Sequence, residues 1–263
     1  MPKKGCIKNR VGDMSYNNFG SKIIITKYNN SEDVDIFFPE YNWTAKNVVY
    51  QYFKRKTITC PYERRTYNIG YLGEGEYTTR INNKKTKAYI KWSSMIQRCY
   101  DPYELNRRPK YIDCYVCEEW HNFQNFAKWF YENYYECHNE QMHLDKDILI
   151  KNNKIYSPET CIFVPQRIND LFVKRDNDRG EYPLGIAYDK KNKRLVAKCS
   201  ILINEKNHNK HLGVFPLNRP FQAFTCYKNF KENYIKQVAD EYKNLIPKKL
   251  YEAMYKYEVE IND

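Results

Sequence analysis

The segment Met142-His143-Leu144-Asp145-Lys146-Asp147-Ile148 places an imidazole and two carboxylates at alternate positions. Residues two apart on an extended strand share one face, so His143, Asp145 and Asp147 could act together. An imidazole can take a proton near neutral pH or bind a cation, and carboxylate oxygens suit Mg²⁺ or Mn²⁺. The plainer alternatives stay open: His143 as a surface or core histidine, and Asp145 and Asp147 as surface charges or partners of Arg98 or Arg167. A second candidate rests on thiols. Cys114-x-x-Cys117 could supply half of a zinc site, completed by Cys137, His138 or Cys161. A single C-x-x-C is a weak signal, and buried free thiols account for these cysteines more simply.

Residues 142–148 have strand character, and Lys151-Asn152-Asn153-Lys154 resembles the turn of a hairpin. Ile155-Tyr156 and Thr160–Val164 then read as the returning strand. Pro165 suits a helix start, and Gln166–Phe172 continues it. Upstream, Tyr89–Tyr100 carries Trp92, Met95, Ile96 and Cys99 at helical spacing, and Asp101-Pro102 stops it. A second helix is expected over Asn122–Tyr135. Its stripe of Phe123, Phe126, Trp129 and Phe130 reads as core rather than as a base-stacking platform. Nearer the start, Lys22–Tyr28 and Val34–Phe38 are β-branched and aromatic, with a polar turn over residues 29–33 between them. They predict a small twisted antiparallel sheet. Residues Val48–Phe53 fit a strand or a helical turn equally. Gly70, Gly73 and Gly75 mark a loop or bulge, in an order that does not match a dinucleotide fingerprint.

After a polar stretch at residues 174–181, three strands are expected: Leu184–Tyr188, Arg194–Ile203 and Lys210–Phe215, joined by polar turns over 189–193 and 204–209. A long helix follows, with Phe221, Phe224, Tyr227, Phe230, Tyr234 and Val238 on one face. A last helix starts near Pro247. In the second strand Leu195, Ala197, Cys199 and Ile201 point one way, toward the helix. Arg194, Val196, Lys198 and Ser200 point the other way, flanked by Lys190, Lys191 and Lys193 on one side and by Lys210 and His211 on the other. A small antiparallel sheet can present such side chains to the major groove. Here the chain resembles the AP2 family, on Gly185-Ile186, Leu195-Val196-Ala197-Lys198, Leu212-Gly213-Val214-Phe215 and the helix with Ala223 and Tyr227, over about residues 183 to 240. The resemblance implies that the sheet contacts DNA through Arg194, Lys198 and Ser200. A solvated strand face is the alternative.

The middle of the chain resembles the HNH nucleases of phages and introns, from Trp92 to about Phe172. The resemblance rests on Trp92-x-x-Met95-x-x-Arg98-Cys99-Tyr100, Val116-Cys117-Glu118-Glu119-Trp120, Phe123-x-x-Phe126, Leu144-Asp145-Lys146-Asp147-Ile148 and Tyr156-Ser157-Pro158-Glu159-Thr160-Cys161 before Asn169. It implies metal-assisted phosphodiester cleavage, with Asp145 as the strand ligand and Asn169 as the helix ligand of Mg²⁺ or Mn²⁺. Lys146 falls where that family carries its general-base His. A Lys with a pKa of about 10.4 is protonated near neutrality and cannot accept a proton, which leaves His143 as the alternative base. The hairpin Asn of the family matches no single residue: Thr160 falls near it, with Asn152 and Asn153 as rivals.

Composition agrees with a nucleic-acid partner. Forty-four Lys and Arg against 32 Asp and Glu give a formal charge of +12, which favours polyanions. No apolar run approaches a membrane span. The polar start Met1-Pro2-Lys3-Lys4-Gly5 and the odd count of nine Cys give the expectation of a reducing cytoplasm with free thiols. With the two resemblances, this becomes the cytoplasm of a bacterial host and a phage protein. The expected fold class is α+β: a β-rich region over residues 1–75, an HNH-like helical ββα region over 76–174, and a three-stranded antiparallel AP2-like sheet packed on a helix over 175–263. The expected partner is double-stranded DNA, with no membrane. The expected function is DNA nicking or cleavage at a site read by the sheet, or a non-catalytic DNA-binding regulator or inhibitor that kept the scaffold. RNA binding is a third option.

Overall fold

A computed structural model of the chain describes residues 9–173, 181–203 and 206–261. The polar start, most of the polar stretch at 174–181 and the tip of the last hairpin lie outside them. The architecture is mixed α+β, in two compact units. One comprises the described residues up to Glu132 together with Lys154–Ser157. The other comprises Asn133–Asn153 and the described residues from Pro158 onward. The sequence boundary near residue 75 falls within the first unit.

The first unit opens with four strands, β1 (Met14–Tyr16), β2 (Lys22–Asn30), β3 (Asp33–Phe38) and β4 (Trp43–Val48), paired antiparallel in that order. The alternation in β2 and β3 sets the buried face: Ile23, Ile25, Val34, Ile36 and Phe38 form the core of the sheet. The ambiguous stretch after it resolves into the end of β4 and a short helix, α1 (Tyr50–Lys54). A small hairpin, β5 (Arg80–Ile81) and β6 (Lys84–Lys85), leads into α2 (Lys87–Tyr100), α3 (Pro102–Arg107), β7 (Tyr115–Val116) and α4 (Phe123–Asn133). Thr86 caps α2 by accepting the Tyr89 N–H at 3.3 Å. Asp101 ends α2 and caps α3 ahead of Pro102, as the Asp-Pro pair predicts. The stripes of α2 and α4 bury Trp92, Met95, Ile96, Phe123, Phe126 and Phe130, and Trp92 Nε1–H donates to the Trp120 carbonyl at 2.7 Å. The aromatic stripe of α4 is thus core.

In the second unit β8 (Met142–Asp145) pairs antiparallel with β10 (Ile162–Pro165), and α5 (Gln166–Phe172) follows directly. Strand, strand and helix occur in the expected order. The returning strand differs, however: Ile155-Tyr156 forms β9, which pairs in parallel with β7 and not with β8. Burial explains the departure. Tyr156 is 2 % exposed, and Arg98 lies 5.5 Å from its ring centre within the first unit.

The rest of the second unit is a three-stranded antiparallel sheet, β11 (Ile186–Asp189), β12 (Arg194–Ile203) and β13 (Lys206–Phe215), followed by α6 (Pro220–Tyr242) and α7 (Lys248–Lys256). β13 begins four residues earlier than the sequence pattern predicts, so Asn207, His208 and Asn209 are strand residues and not a turn. Leu195, Ala197 and Cys199 are buried beneath the helix, together with Ala223, Tyr227 and Ile235 of α6. The chain end is tied back: Lys228 Nζ donates to the Val259 carbonyl at 2.8 Å, and the Val259 N–H to Glu232 at 2.8 Å.

Candidate functional site

Within the ββα unit, Met142 and Leu144 point into the core, which leaves His143 and Asp145 half-buried on the other face of β8. The His143 ring, through Nε2, is hydrogen-bonded to the Gln166 side chain at the start of α5. Asn169 lies on α5 three residues further on, about one turn. The structure therefore brings His143 to the helix that carries Asn169.

Asp145 does a structural job at the end of β8. Its Oδ1 accepts the N–H groups of Asp147 at 2.8 Å and Ile148 at 2.7 Å, a side-chain turn that stops the strand. Burial pushes the Asp145 carboxyl above the usual carboxylate range, against the pull of those two N–H groups. Lys146 is 6 % exposed. Its ammonium donates to both Asp147 oxygens at 2.8 Å and to the Asn153 carbonyl. Asn153 returns the contact, donating from Nδ2 to the Lys146 carbonyl at 2.9 Å. Lys146 is a loop clamp, with its donors engaged. Asn153, one of the rivals to Thr160 for the hairpin position, thus braces the chain after β8. Asp147 pairs with Lys146, while Arg167 pairs with Glu241 at 2.6 Å and Arg98 lies over Tyr111 and Tyr156. Among the described residues no three His, Cys, Asp or Glu side chains converge as a metal cluster, and the described cysteines, Cys114 and Cys117 included, are not joined in disulfides.

The raised Asp145 carboxyl has a stability consequence. Below the ordinary carboxylate value both the folded and unfolded states are protonated, and no penalty exists. As pH rises through that value the unfolded chain loses its proton first, and folding is increasingly disfavoured until the pH passes the raised folded value. Asp145→Asn keeps an oxygen for the two N–H groups without the charge. Its urea midpoint should equal the wild-type one near pH 3 and exceed it at neutral pH, by a stability gain of about 1 kcal/mol, the ordinary size of a single-site effect. A lower neutral-pH midpoint for the variant would contradict this account of the turn.

The C-terminal sheet carries a surplus of positive charge. Residues 186–203 and 206–215 hold seven Lys and Arg and one acid, Asp189. On β12, Arg194, Lys198 and Ser200 are exposed, as the alternation predicts. Val196 shares their face but is 6 % exposed, seated between Ala187 and Val214 on the neighbouring strands. Lys190 and Lys193 are exposed on the turn, where Lys193 takes a left-handed φ of 48°. Arg194 Nε donates to Asp189 at 3.1 Å. The Asn192 side chain, with help from its N–H and from Arg194, holds the Asp189 carboxyl below the usual range. A register shift sorts the rest of β13. Ala197 faces Gly213 while Lys198 faces His211, so β13 carries one extra residue. His211 and Asn209 therefore sit beside Lys198 and Ser200 on the outer face. Lys210 faces Cys199 on the helix side, its ammonium 4.9 Å from the Phe230 ring centre. The expectation that Lys210 shares the outer face is corrected by this bulge.

Comparison with family models, curated proteins and solved structures finds no match for the chain. Function is therefore read from geometry. Two groups at the sheet are hidden in the sequence pattern. Asn209 reads there as part of a turn. Lys231 lies at i+4 from Tyr227 and i−3 from Tyr234, a cation set into the apolar stripe of α6; that interruption is the available signal. No described helix is long and apolar enough to cross a membrane.

Proposed function

We propose that this chain binds double-stranded DNA through the outer face of β12 and β13. The observation that carries the reading is the charge of that face and its adjoining turn: Lys190, Lys191, Lys193, Arg194 and Lys198 are exposed, against one carboxylate among the described residues of the sheet, Asp189, itself engaged by Arg194. A surface of this sign draws a polyanion and loses affinity with salt as counterions are released. The residues on the face suit both kinds of contact. Lys190, Lys193 and Lys198 match phosphates, while Arg194, Ser200, Asn209 and His211 add directional hydrogen bonds of the type that read base edges. The sheet is backed by α6, whose Ala223, Tyr227 and Ile235 are buried against it, which leaves these side chains on the opposite face. The AP2-like order of strands and helix agrees with the reading. In a gel-shift titration in dilute buffer the full chain should retain a duplex oligonucleotide; free duplex at every protein concentration would overturn the proposal.

A second reading, metal-dependent nicking in the manner of an HNH nuclease, draws on one observation: His143 on β8 is bonded to α5 one turn before Asn169. The donor set fits a hard divalent ion in kind, since the Asp145 carboxylate and the Asn169 amide oxygen suit Mg²⁺ or Mn²⁺, which also retain water ligands. A bound ion of this type would stabilise charge on the scissile phosphate. His143 would take the proton from the attacking water, with Gln166 fixing its ring; Lys146, clamped on Asp147 and the Asn153 carbonyl, holds the loop. Incubation with supercoiled plasmid and Mg²⁺ or Mn²⁺ separates the readings. Nicking that falls at least about a hundredfold in His143→Ala and Asn169→Ala establishes the enzyme, and retained duplex binding with no nicking in either metal leaves a DNA-binding regulator.

A further inference from the structure

The register of β12 leaves part of its edge open. Lys198 N–H donates to the Gly185 carbonyl at 2.8 Å, and β11 pairs only with Arg194–Ala197, so beyond Lys198 that side of β12 has no strand neighbour among the described residues. Even-numbered residues of β12 direct their peptide groups to this side. Leu202 N–H meets the Tyr234 hydroxyl there at 2.9 Å, and Ser200, between them, faces the same way. Along this edge lies a cavity of about 530 Å³, wholly within the second unit. The volume falls in the range of roughly 300–1,000 Å³ typical of small-molecule sites.

Its walls combine three chemistries. Phe172, Tyr227, Tyr234 and Tyr257 supply aromatic surface. Arg167, Lys198 and Lys231 supply positive charge against a single carboxylate, Asp170. Ser200, Asn207 and Asn209 supply hydrogen-bonding groups. Lys231 is the telling residue. It lies among the aromatics of α6 with no ion pair to a carboxylate among the described residues, and burial holds its ammonium below the usual lysine range, against the opposite pull of the Cys199 thiol. Arg167 pairs with Glu241 through Nη2, while its buried Nε meets no acceptor among the described residues. A desolvated cation without a counter-charge is costly, and an anion in the cavity would remove that cost.

We propose that this cavity binds one nucleoside 5′-phosphate unit, its phosphate on Lys231 and the Ser200 edge and its base against the aromatic wall. A planar base explains the aromatic surface, a phosphate explains the surplus charge, and the asparagine side chains match the heteroatoms of a base. The unit could be a free nucleotide or one residue of a strand. The cavity shares Lys198, Ser200 and Asn209 with the face proposed for the duplex, but Lys231 and Asp170 are not among the residues assigned to the duplex and separate the two readings.

The test uses 2-aminopurine deoxyriboside 5′-phosphate, whose fluorescence falls on stacking, titrated with the full chain. A second arm carries the same base within a single-stranded oligonucleotide. Saturable quenching by the free nucleotide identifies a nucleotide site, and saturable quenching only in the oligonucleotide identifies a strand site. In either case Lys231→Gln should weaken binding about tenfold, as the loss of one charge-assisted hydrogen bond implies. Asp170→Asn should strengthen it by a few-fold, a gain that misfolding cannot imitate. Duplex retention in a gel shift should be the same for both variants and the wild type. No saturable quenching in either arm, or equal quenching by Lys231→Gln and wild type, overturns the proposal.

Discussion

Reversing two charges on the outer sheet face, Arg194→Glu with Lys198→Glu, should lower affinity for duplex DNA by about a hundredfold, or roughly 3 kcal/mol. Each reversal removes a cation from the surface and sets a carboxylate against phosphate oxygens, so the loss exceeds that of two neutral truncations. Neither residue holds the core. Both are exposed, and the Arg194–Asp189 pair is a surface contact of the kind that adds little to folding. The double variant should therefore melt with the wild type. Lys210 supplies the contrast. It is exposed on the adjacent strand, but the bulge turns it to the α6 side over Phe230. Lys210→Ala should change duplex affinity less than about threefold, as expected for a cation remote from the contact. Anisotropy titrations of one labelled duplex with wild type and the two variants check both statements. Equal losses for the Lys210 variant and the double reversal would mean that DNA contacts the hairpin without regard to its face.

The second large effect is expected at Gly185. Its φ is +77°, and a Cβ there would lie 2.1 Å from Tyr227 Cδ2 and 2.4 Å from Cε2. Alanine would meet the left-handed penalty of about 1–2 kcal/mol and an overpacking cost of about 1–3 kcal/mol, because Tyr227 is buried under the sheet and cannot swing out freely. Together these come to about 3 kcal/mol. The damage should spread, since the Gly185 carbonyl accepts the Lys198 N–H and so fixes the start of the open edge of β12. Gly185→Ala should lower the urea midpoint markedly and weaken duplex binding without altering any charged side chain. A midpoint equal to wild type would show that the close approach of strand and helix is not a constraint.

Much of this structure is legible in the chain because the apolar side chains repeat at the period of the element that buries them. Trp92, Met95 and Ile96 mark α2, the alternation from Val34 to Phe38 marks β3, and Tyr227, Tyr234 and Val238 mark α6. What escapes the sequence is set by long-range pairing. Ile155-Tyr156 has strand character, but only the partner, β7, reveals that it leaves the hairpin. Lys210 and His211 are adjacent in the sequence; a one-residue bulge at Leu212, visible only once β12 is paired, decides which of them faces outward. Lys146 looks like a failed catalytic position until its contacts with Asp147 and Asn153 show a bracing role. Lys231 interrupts an apolar stripe, which is visible in the sequence, but the cavity that gives it meaning appears only when α5, the open edge of β12 and the chain end are in place.

The central claim, a cationic sheet face seated on a duplex, is tested most directly by the salt dependence of wild-type binding. Affinity for one duplex, measured across a series of monovalent salt concentrations, should fall along a straight log–log line with a slope between about −3 and −6, corresponding to several phosphates neutralised. The double reversal at Arg194 and Lys198 should flatten that slope by about two. Affinity that does not change with salt, or no binding even in the most dilute buffer, would contradict the account.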